Sequence, residues 1–248
     1  MPEIGGTARF VSDLHLRAER PDLVRRFAAF LADTVAANVE SLFILGDLFE
    51  YWIGDDDLAD PFNADVCNLL RSAADMGTSL YFIAGNRDFL IGPRFAAAAR
   101  MMLLDDAVKV GAHGTATLLL HGDTVCTDDL PYQEFRRMVR TAEWQQRFLA
   151  RPLAERRAEI ENLRRRSTEA MRAKTAEIMD ANPQAVRLAL TEHGCRRLIH
   201  GHTHRPGREE IDLPTGRGER YVLSDWDTGR GDALEIGSAG VRRLDLSG

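Results

Sequence analysis

Five short apolar runs in this chain each end in polar residues that could bind a metal ion. The clearest run, 41–45, stops at Gly46 and is followed by the carboxylate of Asp47. Apolar runs of this length predict buried strands, and open α/β sheets form their sites at the carboxyl ends of such strands. The other four runs lead into Asp13-x-His15, Gly85-Asn86-Arg87-Asp88, His121-Gly122-Asp123 and Gly201-His202-Thr203-His204. We therefore expect these side chains to meet at one place in the fold.

The types of donor in these motifs predict a site for two divalent cations. Carboxylate and amide oxygens combined with imidazole nitrogens suit Mn²⁺, Fe²⁺ or Zn²⁺, and Mn²⁺ is the ion that we expect. Two cations about 3.5–4 Å apart can lower the pKa of a water molecule, orient it towards phosphorus and neutralise phosphoryl oxygens. Asp47, in the middle of the set, is the candidate for a carboxylate shared by both ions. A site of this kind could activate water for hydrolysis.

Composition and length indicate a soluble, cytoplasmic protein. The chain has 248 residues, of which 44% are hydrophobic and 28% charged, as in ordinary globular domains. The first residues form no signal peptide, and no apolar run approaches the roughly 18–20 residues of a membrane span. Cys67, Cys126 and Cys195 are scattered and form no C-x-x-C pair, so neither a disulfide framework nor a cysteine zinc site is predicted.

The spacing of apolar residues predicts an α/β fold. Helical periodicity covers 21–38, 62–76, 92–102 and 184–193, and a hairpin is predicted at 108–120, turning at His113-Gly114. The tail contains four further strand patterns, 209–213, 220–223, 233–236 and 241–246, which we expect to pair as antiparallel strands of a second sheet. Helices between the strands would connect them.

Residues 131–179 differ from the rest of the chain. They are rich in Arg, Glu, Ala and Leu, carry no strand signal and are interrupted at Arg151-Pro152, which predicts two or three inserted helices. We expect them to form a helical cap over the site, with 1–130 and 180–248 as the core. Residues 136–174 contain twelve Arg and Lys but only five Glu, although the net charge of the whole chain is −6. A basic block suggests an anionic partner, although a solvated helical surface has the same composition.

The five motifs resemble the calcineurin-like metallophosphoesterase superfamily. The resemblance implies a two-sheet sandwich flanked by helices, with two metal ions. One ion would be held by Asp13, His15, Asp47 and His204, and the other by Asp47, Asn86, His121 and His202. Longer stretches, 44–57, 82–90, 121–129 and 198–206, resemble the UDP-2,3-diacylglucosamine hydrolase family of lipid A biosynthesis.

This closer resemblance implies a lipid-linked UDP-sugar as substrate and residues that bind it. The positions that match the family's substrate contacts are Asn86, Arg87, Asp129, Ser167, Lys174 and His202. Met171 stands where the family commonly has an asparagine, so one polar contact is altered. The resemblance also implies a peripheral position on the anionic cytoplasmic surface of the inner membrane. We expect no nucleic acid and no obligate protein partner.

Arg87 distinguishes the reaction that we expect from other reactions of the superfamily. Asp47, Asn86 and Arg87 are the candidates for direct participation in catalysis. The superfamily tends to carry a histidine after the metal-binding asparagine as a proton donor, whereas a guanidinium cannot give up a proton near neutrality. A sugar phosphate expelled from a pyrophosphate needs little protonation, and Arg87 is suited to binding phosphate oxygens.

Three other functions remain open from the sequence. A metallophosphodiesterase acting on another nucleotide or phosphodiester would share the five motifs. A non-catalytic scaffold would be expected to have lost a ligand, and none is missing. A nucleic-acid binder would explain the basic block, but only Trp144 and Phe148 in that block could stack on bases.

Overall fold

Two six-stranded sheets form the centre of the molecule. The structure is a computed structural model that describes residues 3–172 and 180–247, without the side chains of residues 164 and 166–172. The strands are β1 (Glu3–Ile4), β2 (Ala8–Val11), β3 (Ser41–Ile44), β4 (Ser79–Phe82), β5 (Met101–Leu103), β6 (Ala107–Ala112), β7 (Thr115–Leu120), β8 (Arg197–His200), β9 (Gly207–Leu213), β10 (Gly216–Val222), β11 (Asp232–Gly237) and β12 (Gly240–Asp245). One sheet has the order β1-β6-β7-β8-β10-β9, and the other has the order β12-β11-β2-β3-β4-β5.

Helices cover the outer faces of both sheets. They are α1 (Pro21–Ala36), α2 (Pro61–Asp75), α3 (Pro93–Ala99), α4 (Leu130–Val139), α5 (Ala142–Leu149), α6 (Leu153–Arg172) and α7 (Pro183–Glu192). Phe10 and Phe43 of one sheet pack with Leu119 and Ile199 of the other, so the inner faces form one apolar layer. Helices α1 to α3 share a second apolar cluster with β2 to β5, and α7 shares a third with β7 to β9. The result is the predicted two-sheet sandwich flanked by helices.

Helix starts follow from local sequence signals. Proline lies in the first turn of α1, α2 and α7, where its missing N–H would have had no partner in the helix. The side chain of Asp60 accepts a hydrogen bond from the N–H of Phe62, and Asn182 does the same at the start of α7. These capped starts direct the connections between strands, because they determine where each helix leaves its preceding loop.

Two expectations about secondary structure were wrong. The helix predicted over 92–102 ends at Ala99, because Arg100 adopts the left-handed conformation with φ of 52°, and an edge strand follows at Met101. The tail does not form a single second sheet. Its first hairpin joins the first sheet through parallel pairing of β10 with β8, and its second hairpin joins the other sheet through β11 and β2. The apolar pattern identified the strands but carried no information on their partners.

The segment 131–179 contains α4, α5 and α6 in its described part. Besides the expected interruption before α6, a second one occurs at Arg140-Thr141, where Thr141 caps α5. Helix α6 contacts the loop after β3, because the buried guanidinium of Arg156 donates to the carbonyl of Ile53 and pairs with Asp56. Within the described ranges, no helix is both long and apolar enough to cross a lipid bilayer.

At least six of the twelve basic residues in 136–174 form ion pairs within the chain. Arg136 and Arg140 pair with Asp106, and Arg157 pairs with Asp57. The other three are Arg147, Arg151 and Arg156. Much of the basic block therefore attaches these helices to acidic loops or stabilises them internally, which leaves fewer free charges for an anionic partner than the composition suggested.

Candidate metal centre

The ends of five strands meet at one edge of the sandwich. Strands β2, β3 and β4 of one sheet and β7 and β8 of the other stop one to four residues before the motifs identified in the sequence. The first group of side chains comprises Asp13, His15 and His204. The Nε2 atoms of the two histidines are 3.4 Å apart, and Oδ1 of Asp13 is 3.4 Å from that of His204 and 4.0 Å from that of His15.

A second group lies beside the first and is centred on Asn86. Its Oδ1 atom is 2.9 Å from Nε2 of His121 and 2.9 Å from Nδ1 of His202. The Nδ1 atom of His121 is 2.8 Å from the carbonyl oxygen of Leu45, so this contact leaves Nε2 directed into the group. The two groups are joined, because the backbone N–H of His202 donates to Oδ2 of Asp13 at 2.8 Å.

Asp47 lies between the two groups with one carboxylate oxygen towards each. Its Oδ1 atom is 3.8 Å from Nε2 of His121, and its Oδ2 atom is 3.9 Å from Nδ1 of His15. Asp13 also reaches both sides. A carboxylate oxygen of Asp13 lies within 4.8 Å of the ligand atoms of His15 and His204, and one lies within 4.8 Å of the ligand atoms of Asp47 and His121. Two carboxylates are thus available to link neighbouring cations.

The backbone at this edge is tightly constrained. Five of the candidate ligands have a positive φ between 48° and 66°, a conformation in which non-glycine residues are uncommon. They are Asp13, His15, Asp47, His202 and His204. A Cβ atom at Gly85 would collide with the backbone nitrogen and the carboxylate of Asp47, so only glycine permits the two loops to approach so closely.

Burial strongly perturbs the titration of these groups. It raises the pKa of Asp47 to about 7. Burial opposes a charge on His121, but Asp47 and other nearby carboxylates outweigh it and raise the pKa of that imidazole to about 9. Burial would also raise the pKa of Asp13, but the neighbouring imidazole of His204, together with those of His121 and His15, holds it well below its usual range. Burial and the charge of His121 lower the pKa of His202 to about 4.

The residues present fit two divalent cations. Oδ1 of Asp13 and Nδ1 of His15 are buried with no hydrogen-bond partner among the described residues. Buried polar atoms are normally satisfied, so an orphaned carboxylate oxygen that faces imidazole nitrogens indicates a missing positive charge. The donor set of carboxylate, amide and imidazole is the one that Mn²⁺, Fe²⁺ and Zn²⁺ accept.

Arg87 lies at the side of these groups and is held there by two carboxylates. Its Nη1 atom donates to Oε1 of Glu50 at 2.8 Å, and its Nε atom is 3.6 Å from Oδ2 of Asp47. Its backbone N–H donates to Oδ1 of Asp47 at 3.0 Å. The guanidinium is partly exposed, so it can also contact an anion that reaches the centre.

The structure describes the substrate contacts predicted outside the centre to different extents. Asp129 is buried and caps the start of α4 by accepting a hydrogen bond from the N–H of Tyr132 at 3.2 Å. Ser167 and Met171 lie in α6, but their side chains are not described. Lys174 falls outside the described residues altogether.

Two residues of the site, Glu50 and Asp225, were not assigned a role from the sequence. Glu50 binds Arg87, and its Oε2 atom is 3.7 Å from Nδ1 of His15. Asp225, next to Trp226, is 3.5 Å from Nδ1 of His204 through its Oδ2 atom. Carboxylates in such positions orient imidazole ligands of metals. Glu50 could have been noticed, since it follows Asp47 by only three residues, whereas nothing local signals Asp225.

Two sheets that bring carboxylate, amide and imidazole side chains together at one edge define a metal-dependent phosphoesterase. The family model described as calcineurin-like phosphoesterase matches residues 8–206. The chain belongs to this family. Solved structures share the fold: a dimetal phosphatase from Danio rerio covers 98% of both chains with a TM-score of 0.51 at 10% identity, and an archaeal phosphodiesterase covers 96% of this chain and 99% of its own with 0.50 at 13%.

Relatives of higher identity carry one name. A protein of Aromatoleum aromaticum named UDP-2,3-diacylglucosamine hydrolase is 51% identical over 221 residues, which span 89% of each chain. Proteins with the same name from Pseudomonas paraeruginosa and Serratia proteamaculans are 46% and 43% identical, and the matches span 94–97% of the chains. The similarity therefore extends through the strand-end motifs and through the inserted helices.

Proposed function

We propose that this protein is a UDP-2,3-diacylglucosamine hydrolase that forms UMP and 2,3-diacylglucosamine 1-phosphate during lipid A biosynthesis. The relatives of that name, which match nearly the whole chain, support the substrate. The single observation that carries the chemistry is the convergence of two groups of metal-binding side chains on either side of Asp47. The competing activity, on an unrelated phosphodiester, has no observation in its favour beyond the shared motifs.

We assign one cation to Asp13, His15, Asp47 and His204, and the other to Asp47, Asn86, His121 and His202. Bound divalent cations supply a nucleophilic water of lowered pKa and neutralise charge on the phosphoryl oxygens. Mn²⁺ is our proposal for the ion, because the mixture of oxygen and nitrogen donors without thiolate suits it. Asp47 would be the ligand shared by both cations, since its two oxygens face opposite groups.

In this proposal, Arg87 and Asn86 contact the phosphate group that is attacked. The Arg87 guanidinium, oriented by Glu50, binds a phosphoryl oxygen and stabilises the charge that develops there. It supplies no proton, so attack at the uridine-side phosphorus with departure of a sugar 1-phosphate is the reaction that it suits. His202 and Asp129 provide further contacts to the substrate, and Ser167, Met171 and Lys174 provide contacts from the cap.

We further propose that 131–179 acts as a cap that selects the lipid-linked substrate. Asp129 caps the start of helix α4, and Tyr132 in the first turn of that helix has its ring centroid 5.8 Å from that of His202. An acylated substrate would be presented at a membrane surface, so we place the protein peripherally on the cytoplasmic side of the inner membrane. At least six basic residues of the block form ion pairs within the chain. Any electrostatic attraction to that surface would therefore come from the remaining basic residues.

The test is to incubate the purified protein with Mn²⁺ and UDP-2,3-diacylglucosamine in detergent and to measure UMP. Running the reaction in ¹⁸O-labelled water should place the label in UMP if attack is at the uridine-side phosphorus. The matched control is the Asp47→Asn variant, which keeps the size of the side chain but lacks the second carboxylate oxygen. Turnover of simple phosphodiesters without release of UMP from the lipid substrate would support the competing activity instead.

A further inference from the structure

Helix α4 makes polar contacts with the loops that carry Asn86 and His121. Nη2 of Arg140, the residue that ends the helix, donates to the carbonyl oxygen of Gly85 at 2.8 Å. That carbonyl belongs to the peptide group that leads directly into Asn86. The Arg140 guanidinium also lies over the ring of Phe89, 5.1 Å from its centroid. Arg140 therefore contacts the Asn86 loop on both sides of the candidate ligand.

The loop after β7 is held by the same helix. Asp123, two residues after His121, is buried, and its Oδ2 atom accepts hydrogen bonds from Nε of Arg136 at 2.7 Å and from the hydroxyl of Tyr132 at 2.9 Å. Gln133 adds a bond to the carbonyl oxygen of Asp123 at 2.7 Å. Burial would raise the pKa of Asp123, but the positive charges beside it hold that pKa well below its usual range.

One carboxylate links these two sets of contacts. Asp106 accepts from Nη2 of Arg136 at 2.6 Å and from Nη1 of Arg140 at 3.1 Å. Two guanidinium groups on successive turns of α4 are therefore fixed relative to each other. The loops of Asn86 and His121 are bound to a single rigid element, although they come from different sheets.

The contacts of α4 are unequally distributed between the two groups of candidate ligands. Within the described ranges, no hydrogen bond, ion pair or ring contact joins α4 to Asp13, His15 or His204. Those residues are instead approached by Glu50 and Asp225. The helix therefore supports the Asn86 group alone.

We propose that α4 positions the ligands of the second cation, with Arg140 as the principal positioning residue. This inference rests on the assignment of two cation positions in the proposed function. It adds a role for the inserted segment that does not involve the substrate, since Arg140 contacts a backbone carbonyl beside a metal ligand. Outer contacts of this kind typically alter metal affinity by roughly 10- to 100-fold when removed.

The experiment is a calorimetric titration of Mn²⁺ into metal-free protein, with electron paramagnetic resonance to detect coupled pairs of ions. Arg140→Met keeps the apolar stem over Phe89 and removes every donor, and it strands no buried charge because Asp106 is already half exposed and still pairs with Arg136. We expect one site to keep its affinity and the other to weaken by roughly 10- to 100-fold. Arg137→Met is the control, because Arg137 is exposed on the same helix and, among the residues that the structure describes, donates only to the carbonyl oxygen of Gln133 within that helix.

Double variants identify the site on which Arg140 acts. In a His121→Ala background, where the second position is already disrupted, Arg140→Met should leave the affinity of the remaining site unchanged. In a His204→Ala background, it should weaken the remaining site. Arg140→Lys retains one donor for the Gly85 carbonyl and should recover part of the affinity. That variant also decides the matter if circular dichroism shows that Arg140→Met does not fold.

Unchanged affinity of both sites in Arg140→Met, or equal weakening of both sites in Arg140→Met or Arg140→Lys, would overturn the role of α4 and leave the proposed function intact. Wild-type protein that binds only one Mn²⁺ would have a different meaning. It would refute the two-cation assignment itself, before any variant is considered.

Discussion

Asp88 offers the sharpest test of how Asp47, the carboxylate that we propose is shared by two cations, is held in place. Its side chain is fully buried and accepts four backbone N–H groups. Oδ1 accepts from Gly85 at 3.0 Å and from Asp47 at 3.2 Å, and Oδ2 accepts from Leu48 at 2.7 Å and from Phe49 at 3.4 Å. The loop that carries Asp47 and the loop that carries Asn86 are therefore joined through a single carboxylate.

Asp88→Asn should destabilise the metal-free protein by about 3 kcal/mol. An amide keeps one acceptor oxygen, so it can satisfy the two bonds on the Oδ2 side, which include the shortest of the four, but its NH₂ group then faces two N–H donors. Two hydrogen bonds to a charged acceptor, each worth about 1.5–3 kcal/mol, are lost. The lower end of that range applies, because the neutral amide avoids the cost of burying a charge, which already raises the pKa of Asp88.

The assay is urea unfolding of metal-free protein, with stability taken from linear extrapolation. Metal is removed because a cation that binds only the folded state would mask part of the loss. Asp65→Asn is the control, since Asp65 is exposed on α2 and its change should stay within about 0.5 kcal/mol. If Asp88→Asn unfolds at the same urea concentration as Asp65→Asn, the four N–H contacts do not stabilise the loops as argued.

Further predictions concern the cations and the phosphate. Asp47→Ala should lose turnover and bind at most one Mn²⁺ by elemental analysis, and two retained ions would show that Asp47 is not shared. Arg87→Ala should slow the pyrophosphate reaction roughly 100-fold or more in steady-state kinetics. Arg87→His should recover little of that rate yet exceed wild type on an alkyl phosphodiester, whose leaving group needs a proton. Mn²⁺ should bind more weakly at pH 6 than at pH 8, because Asp47 and His121, with pKa values raised to about 7 and about 9, must lose protons to bind it. Calorimetry in two buffers of different ionisation enthalpy should detect that proton release, and equal heats in both would contradict it.

The meeting of the candidate ligands at one edge could be predicted because it follows from the direction of strands. Apolar runs such as 41–45 and 80–84 identify buried strands, and the residue after each run lies at the carboxyl end wherever that strand is placed. This reasoning worked even though β4 and β7 belong to different sheets, because the sandwich brings both edges together. It did not depend on knowing the pairing of the strands.

The supporting contacts could not be predicted, because each joins loops that are distant in sequence. Glu50 and Arg87 are 37 residues apart, and Arg140 and Gly85 are 55 apart. Their pairing depends on the distances between elements, which periodicity does not encode. The basic block illustrates the same limit: its composition suggested an external anion, whereas Arg156 is buried against Asp56 and the Ile53 carbonyl.

The left-handed conformation of Asp13, His15, Asp47, His202 and His204 has a consequence for the amount of protein that a cell maintains. Each such residue costs roughly 1–2 kcal/mol relative to an ordinary backbone conformation, so this edge concentrates an energetic cost that packing elsewhere in the sandwich must offset. Ions that bind only the folded form of this edge offset that cost by stabilising the folded state. Scarcity of the ion would enlarge the unfolded fraction that proteases remove, and the abundance of the protein would then follow the supply of that ion.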